Sequence, residues 1–252
     1  MTESNRSIAG MGPRDTLARG NPRGVRVALV AAVALGACAG DVDPPWQLDH
    51  DRIVAVRAEP PGIAAGQTSR IDALLATKGA MTSVATPELA TVVSPTSLAD
   101  VLSIDGGTWV VTAPGEDRLA AARSELKLAA GAPVPLQIGV SYAGQTLVAT
   151  KTMTLGAAAT NPPLDGITVD GKPPGDAELV VGTLVKVPLS INADDITYDV
   201  AWVTSCGTMH DFDLPQAYLK VETDDPTTGE LGVVVRDAHG GVSWKIWPIH
   251  AE

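Results

Sequence analysis

Leu231–Ile246 reads LGVVVRDAHGGVSWKI, and this stretch decides the fold. Leu231, Val233 and Val235 recur with a period of two, Asp237-Ala-His-Gly-Gly241 interrupts them, and Val242, Trp244 and Ile246 return on one face. Side chains alternate across a strand, so the run predicts two antiparallel strands joined by a glycine-rich turn. The glycine pair supplies the positive φ that such a turn needs. Upstream, Tyr198 to Thr204 carries Trp202 in mid-strand, and Ala217 to Glu222 is a further strand. In Leu184 to Ile191, Val185, Val187, Leu189 and Ile191 form one face, with Lys186, Pro188 and Ser190 on the other. Pro188 cannot donate to a ladder, so this strand is expected at a sheet edge or at a bulge.

The first half uses the same grammar. Ile53 to Ala58 is a short β-like run closed by Pro60-Pro61-Gly62, and Ser69 to Thr77 follows Gly66-Gln67-Thr68. Trp109 to Thr112 follows Asp105-Gly106-Gly107, and Val134 to Tyr142 and Thr146 to Leu155 flank the turn Ala143-Gly144-Gln145. Two helical pieces are expected: one from Ser94-Pro95, with serine as N-cap and proline at the first helical position, and one over Glu116 to Leu126, which is rich in helix formers. Residues 80–108 give the weakest pattern. Pro-Pro-Gly recurs at 60 and 173, 113 residues apart, and repetition on the scale of a domain suggests tandem copies of one module.

Many short strands with Gly/Pro/Asp turns indicate a sandwich or barrel. A mid-strand Trp202 followed by further strands and the closing hairpin 230–248 resembles immunoglobulin-like modules. No cysteine pair bridges the sheets, so the resemblance is to a disulfide-free variant. Asp51-Arg-Ile-Val-Ala-Val-Arg-Ala-Glu-Pro-Pro-Gly62 and Val233 to Trp244 are also similar to stretches in uncharacterised lipoproteins of myxobacterial type. The expected fold class is all-β: a signal peptide over 1–37, a tether over 38–49, an immunoglobulin-like β-sandwich over 50–156, a linker over 157–163 and a second such sandwich over 164–252.

The beginning of the chain reads as an address. Arg14, Arg19, Arg23 and Arg26 precede the apolar run Val27–Ala37, which is shorter than the ~20 residues that span a bilayer. A basic flank, a short apolar run and a small-residue end make a secretory signal. Leu35-Gly36-Ala37-Cys38 resembles a bacterial lipobox, which implies lipidation of Cys38 and a mature chain that starts there. An ordinary secretory signal with an incidental cysteine is the other reading, and translation from Met11 is compatible with both. Ala39 after the lipidated position implies, by the same resemblance, outer-membrane sorting to the periplasmic side or the cell surface.

The 252 residues hold 18 Lys+Arg against 29 Asp+Glu, a net charge of −11; without residues 1–37 the counts are 13 and 27, or −14. That balance, with 4% aromatics, argues against a nucleic-acid partner, which needs clustered cations and stacking platforms. The sequence holds no nucleophile elbow, phosphate loop or zinc-binding motif. His210, four residues after Cys206, offers a nucleophile–base pair by spacing alone, and a lone Cys206 is read as a buried small residue, an intermolecular disulfide or a reactive thiol. Asp211, Asp213, Asp224 and Asp225 are expected toward one pole of the second sandwich, with Asp194, Asp195 and Asp237 at the other. Such poles suit Ca²⁺ or simply turn chemistry. Trp244 and Trp247 fall on opposite faces by the period of two, so one of them can face solvent, and an exposed Trp beside the turn would mark a partner or glycan contact. The chain is therefore expected to be a non-enzymatic envelope lipoprotein that binds, adheres or spaces. It is expected to have no cofactor, the lipid bilayer as partner through Cys38, and a possible envelope protein or glycan partner. An accessory subunit of an export or surface machine, or a hydrolase with an undetected site, is the alternative.

Overall fold

A computed structural model describes residues 44–193 and 197–252, apart from the side chains at 82 and 83. The expected leader, Cys38 and the start of the tether lie outside the described residues, as do Asp194 and Asp195.

The first nine strands are β1 (Arg52–Glu59), β2 (Gly62–Ile63), β3 (Thr68–Thr77), β4 (Ala80–Ala85), β5 (Leu89–Ser94), β6 (Leu102–Asp105), β7 (Thr108–Thr112), β8 (Val134–Tyr142) and β9 (Leu147–Leu155). They form two sheets, β1-β3-β7-β6 with β4 also on β3, and β2-β9-β8-β5. The remaining strands are β10 (Thr168–Val169), β11 (Leu179–Val181), β12 (Val187–Ser190), β13 (Tyr198–Thr204), β14 (Thr208–His210), β15 (Gln216–Lys220), β16 (Thr228–Asp237) and β17 (Val242–Ala251). They form β10-β12-β15-β14 and β11-β17-β16-β13. In both halves a short second strand crosses to the opposite sheet and runs parallel to the last strand, β2 on β9 and β11 on β17, while the other pairings are antiparallel. The protein is thus all-β, with two tandem immunoglobulin-like sandwiches.

Each sandwich closes over its own core. The first holds Ile71, Leu98, Leu119, Leu136, Ile138 and Met153. The second is built on Trp202 and Trp247, with Leu219, Leu231 and Val233 around them. Both buried indoles keep a hydrogen bond, Trp202 Nε1 to the Leu214 carbonyl (3.1 Å) and Trp247 Nε1 to the Gly175 carbonyl (2.9 Å). A buried N–H left without an acceptor is costly.

The helix over Glu116–Leu126 is present and ends at Lys127, whose left-handed backbone (φ 57°) returns its N–H to the Arg123 and Ser124 carbonyls. The other helical piece differs from expectation. It is a 3₁₀ turn over Thr96–Val101, and Ser94 belongs to β5 instead of capping it. Glu125, from the neighbouring helix, takes the capping role, accepting from Thr96 N (2.8 Å), Thr96 Oγ1 (3.1 Å) and Ser97 N (3.2 Å). These bonds hold its carboxyl down at about 2.

Pro188 also departs from expectation. β12 is an interior strand with an unbroken register to β15. The Pro188 carbonyl accepts from Asp170 N (2.8 Å) just past the end of the two-residue β10. N and C=O of one strand residue point the same way, so the missing N–H faces a place where no ladder continues.

Two connecting segments are more structured than a tether and a linker. Trp46 packs on the second core and Leu48 is fully buried. Leu48 N donates to the Thr204 carbonyl (3.0 Å) and Thr204 N to the Trp46 carbonyl (2.9 Å). The chain therefore lines the free edge of β13 before it enters the first sandwich. In 157–163, Ala159 bridges Gly62, and Asn161 Nδ2 donates to the Ala58 carbonyl (3.1 Å) and to Glu59 Oε2 (2.8 Å). Asn161 Oδ1 accepts from Val242 N (2.8 Å), and Ser243 Oγ donates to the Pro162 carbonyl (2.7 Å).

Among the described residues, no helix is long and apolar enough to cross a membrane.

Candidate functional site

Period-two strands present one face to their own core and leave the other to be solvated or covered. On β1, Val56 and Ala58 point into the first core, whereas Ala55 joins a separate apolar cluster with Leu74, Val234, Val242 and Trp244. Val54, Met81 and Ile246 pack onto it, and Leu48, Ala76 and Val203 extend it. This cluster is the junction between the sandwiches: the outer face of the β1-β3-β4 region lies on the outer face of β13-β16-β17.

Polar groups frame the junction. Arg57 pairs with Asp72 directly across β1 and β3 through two bonds (3.0 and 2.7 Å), and its guanidinium lies 4.2 Å over the Trp244 ring. Two parallel charge-assisted bonds fix the guanidinium plane, which leaves its face free for the indole. Arg236 Nη2 donates to the Val54 carbonyl (2.8 Å). The Glu230 carboxylate accepts from Met81 N, and burial pushes its pKa up. Lys151 on β9 is 4% exposed and donates from Nζ to the Gly240 carbonyl. Burial pushes its pKa down to about 8, with Asp237 and Asp72 opposing and Arg236 and Arg57 reinforcing the shift.

The hairpin tip 237–241, beside which the sequence offered a solvent-facing tryptophan, is docked here. Asp237 Oδ1 accepts from His239 N and Gly241 N (2.8 Å each), which shapes the turn. Gly240 (φ 89°) lies so close to β9 that a Cβ would stand 2.4 Å from the Thr152 carbonyl oxygen. The expectation for the tryptophans changes in the same way. Trp247, 1% exposed, fills the second core, and Trp244, 9% exposed, faces the first sandwich instead of solvent. Val242, Trp244 and Ile246 do share a face, but it is the junction face.

The nucleophile–base pair suggested by spacing is not assembled. Cys206 is buried in the second core, its Sγ donates to the Pro226 carbonyl (2.9 Å), and burial raises the thiol pKa, with Asp225 adding to the effect. A nucleophilic cysteine needs the opposite shift. His210 lies on the outer face of β14, stacked on Tyr218 at 4.4 Å, and Lys186 covers the other side of that ring at 4.1 Å. Asp211, Asp213, Asp224 and Asp225 do not converge on a cation: among the described residues no group of three or more His, Cys, Asp or Glu side chains is placed to hold a metal. Asp225 instead accepts from Glu222 N (2.8 Å), as a turn former does.

Sequence reasoning missed Lys151, Asn161 and Arg236. Lone polar residues within strands or a linker carry no motif. The usable signal lay beside them, in apolar runs that do not alternate: Ile53 to Val56, Ala73 to Ala76 and Val233 to Val235. Such runs mark strands covered on both faces.

No protein-family model and no curated protein matches the chain. Among solved structures it is similar to the tandem Ig repeats of Dlar (13% identity, 81% of this chain and 98% of that one, TM-score 0.29). It is also similar to the fibronectin(III)-like modules of Clostridium thermocellum CbhA (12% identity, 79% and 94%, TM-score 0.27). A third similar structure is titin domains z1z2 in complex with telethonin (13% identity, 78% and 93%, TM-score 0.23). The fold assignment rests on the strand order described above.

Proposed function

We propose that this chain is an exported lipoprotein, acylated at Cys38, whose two-sandwich body acts in the outer-membrane envelope as a non-enzymatic binding, adhesion or spacer module. The anchoring part rests on the basic flank, the short apolar run and Leu35-Gly36-Ala37-Cys38. Burial of several acyl chains, at ~0.8 kcal/mol per CH₂, gives durable attachment without a spanning helix.

The observation that carries the binding-or-spacer reading is the junction. An apolar cluster, the Arg57–Asp72–Trp244 assembly and the Asn161 bridge fix one sandwich on the other, so the outer faces are presented in constant register. A body of this kind suits presentation better than turnover. Cys206 lies beneath Pro226 and His210 against Tyr218, so the one nucleophile–base pair that the sequence offered is engaged in structure.

Labelling with radioactive palmitate and fractionating cells that express the wild type and Cys38→Ala tests the anchor. The expected result is a labelled wild type in the outer-membrane fraction and an unlabelled, soluble variant. An unlabelled wild type, or a variant that stays membrane-bound, refutes acylation at Cys38. Cross-linking from native membranes then identifies what the body touches; turnover of an envelope substrate by the purified protein would refute the non-enzymatic reading.

A further inference from the structure

The β1-β3-β4 side of the first sandwich is covered by the second, so its other sheet, β2-β9-β8-β5, turns its outer face away from the junction. The outward positions of β5, β8 and β9 hold only Leu, Thr, Val, Pro, Gln, Gly and Ser, although the chain carries 29 acidic and 18 basic residues. Glu88, at the rim, turns its carboxylate onto Gly144 N (3.0 Å).

The face has relief. Val148 is 73% exposed and stands directly across from Ser141, while Gly139, in the next row between Thr91 and Thr150, has no side chain. A groove of about 460 Å³ runs here, lined by Leu89, Thr91, Gly139, Ser141, Val148 and Thr150 among others. Ser141 is 6% exposed, and its hydroxyl has no hydrogen-bond partner.

We propose that this face pairs with the same face of a second copy of the chain, each Val148 seating in the partner's groove over Gly139 and Ser141. Three observations select a second copy. Copies with a net charge of −11 repel one another, and they approach at least cost through a face free of charge. A knob and a hole side by side on one face are self-complementary about a two-fold axis lying in the interface. Stacking of outer sheet faces is already how this molecule joins its own two sandwiches. Three strands about 5 Å apart and about eight residues long cover roughly 400 Å² per copy. That is half of the ~800 Å² per partner of a standard stable interface. The pairing is therefore weak in solution and gains from confinement on a surface. It does not depend on acylation of Cys38.

The test uses the full-length exported chain carrying Cys38→Ala, so that loss of the anchor and loss of pairing are read separately. Sedimentation equilibrium from about 1 to 300 µM is expected to show monomer and dimer with a Kd on the order of 100 µM. Val148→Glu is expected to weaken association at least tenfold with unchanged circular dichroism and urea midpoint, because Val148 is exposed. A mixture of Val148→Glu and Val148→Lys is expected to recover association. A wild type that is monomeric throughout, a Val148→Glu variant that associates like wild type, or a mixture that fails to recover overturns the proposal. So does a monomeric wild type that takes an apolar small molecule or another protein into the groove.

Discussion

Replacing Lys151 with Met should change stability with a sign that depends on pH. Lys151 is drawn down to about 8 from 10.5 by burial. At 1.36 kcal/mol per pKa unit, that shift means the folded protein carries a burden of about 3 kcal/mol for holding a protonated amine in the gap between β1 and β9. Below pH 8 both folded and unfolded chains hold the proton, so the full burden is present. Between pH 8 and 10.5 the unfolded chain still binds the proton while the folded one releases it, so stability rises by about 3 kcal/mol. Methionine keeps most of the side-chain volume and removes this dependence, but it leaves the Gly240 carbonyl without its donor, a loss of about 1–3 kcal/mol. Lys151→Met is therefore near neutral or slightly stabilising at pH 7 and destabilising by pH 10. The variant's advantage over wild type should fall by about 3 kcal/mol between pH 7 and 10.5. The alkaline ionisation of Cys206 and Tyr142, whose pKa values burial raises, weakens both proteins alike and cancels in the difference. Urea unfolding followed by tryptophan fluorescence at half-unit pH steps measures it. A difference flat across that range would refute the burial of a charged Lys151 and the docking of the 237–241 tip on it.

Three other outcomes follow from the junction and the second core. Asn161→Ala removes the bonds to Ala58, Glu59 and Val242 and should lower stability by about 2 kcal/mol, read as a lower urea midpoint with an early, separate transition for one sandwich. Gly240→Ala places a Cβ against the Thr152 carbonyl at a backbone angle that L residues avoid; hydrogen exchange should speed up in β9 and in the tip, with the core of β16 unaffected. Cys206 should react with a thiol reagent only at the rate of unfolding, because its thiol is buried with a raised pKa; rapid labelling under native conditions refutes its place beneath Pro226.

Strand patterning was legible where a strand has one wet and one dry face. β8 and β9 follow their period of two, and Trp202 sits in the core as its mid-strand position implied. The repeat of Pro-Pro-Gly corresponds to a repeat of topology. Legibility fell where a second surface covers the strand. In β4, Met81 packs into the junction, so residues 80–108 lack a clean alternation. Ser94 was misplaced because the cap of the 3₁₀ turn comes from Glu125, far along the chain. Pro188 was misplaced because the strand beside it is only two residues long. The junction left no motif, since contacts between distant positions need only apolar surface and a few well-placed donors.

The pairing of Trp46 and Leu48 with Thr204 bears on the order of assembly. A polypeptide is synthesised N-terminus first, so these residues emerge well ahead of the strand they must bond. Their partner becomes available only after most of the polypeptide has been made. The first sandwich can close early from local hairpins, but the stretch leading into it stays unzipped until the second sandwich appears. Completion of the body is thereby tied to completion of the chain. A truncated or stalled chain would leave this stretch accessible to quality-control proteases.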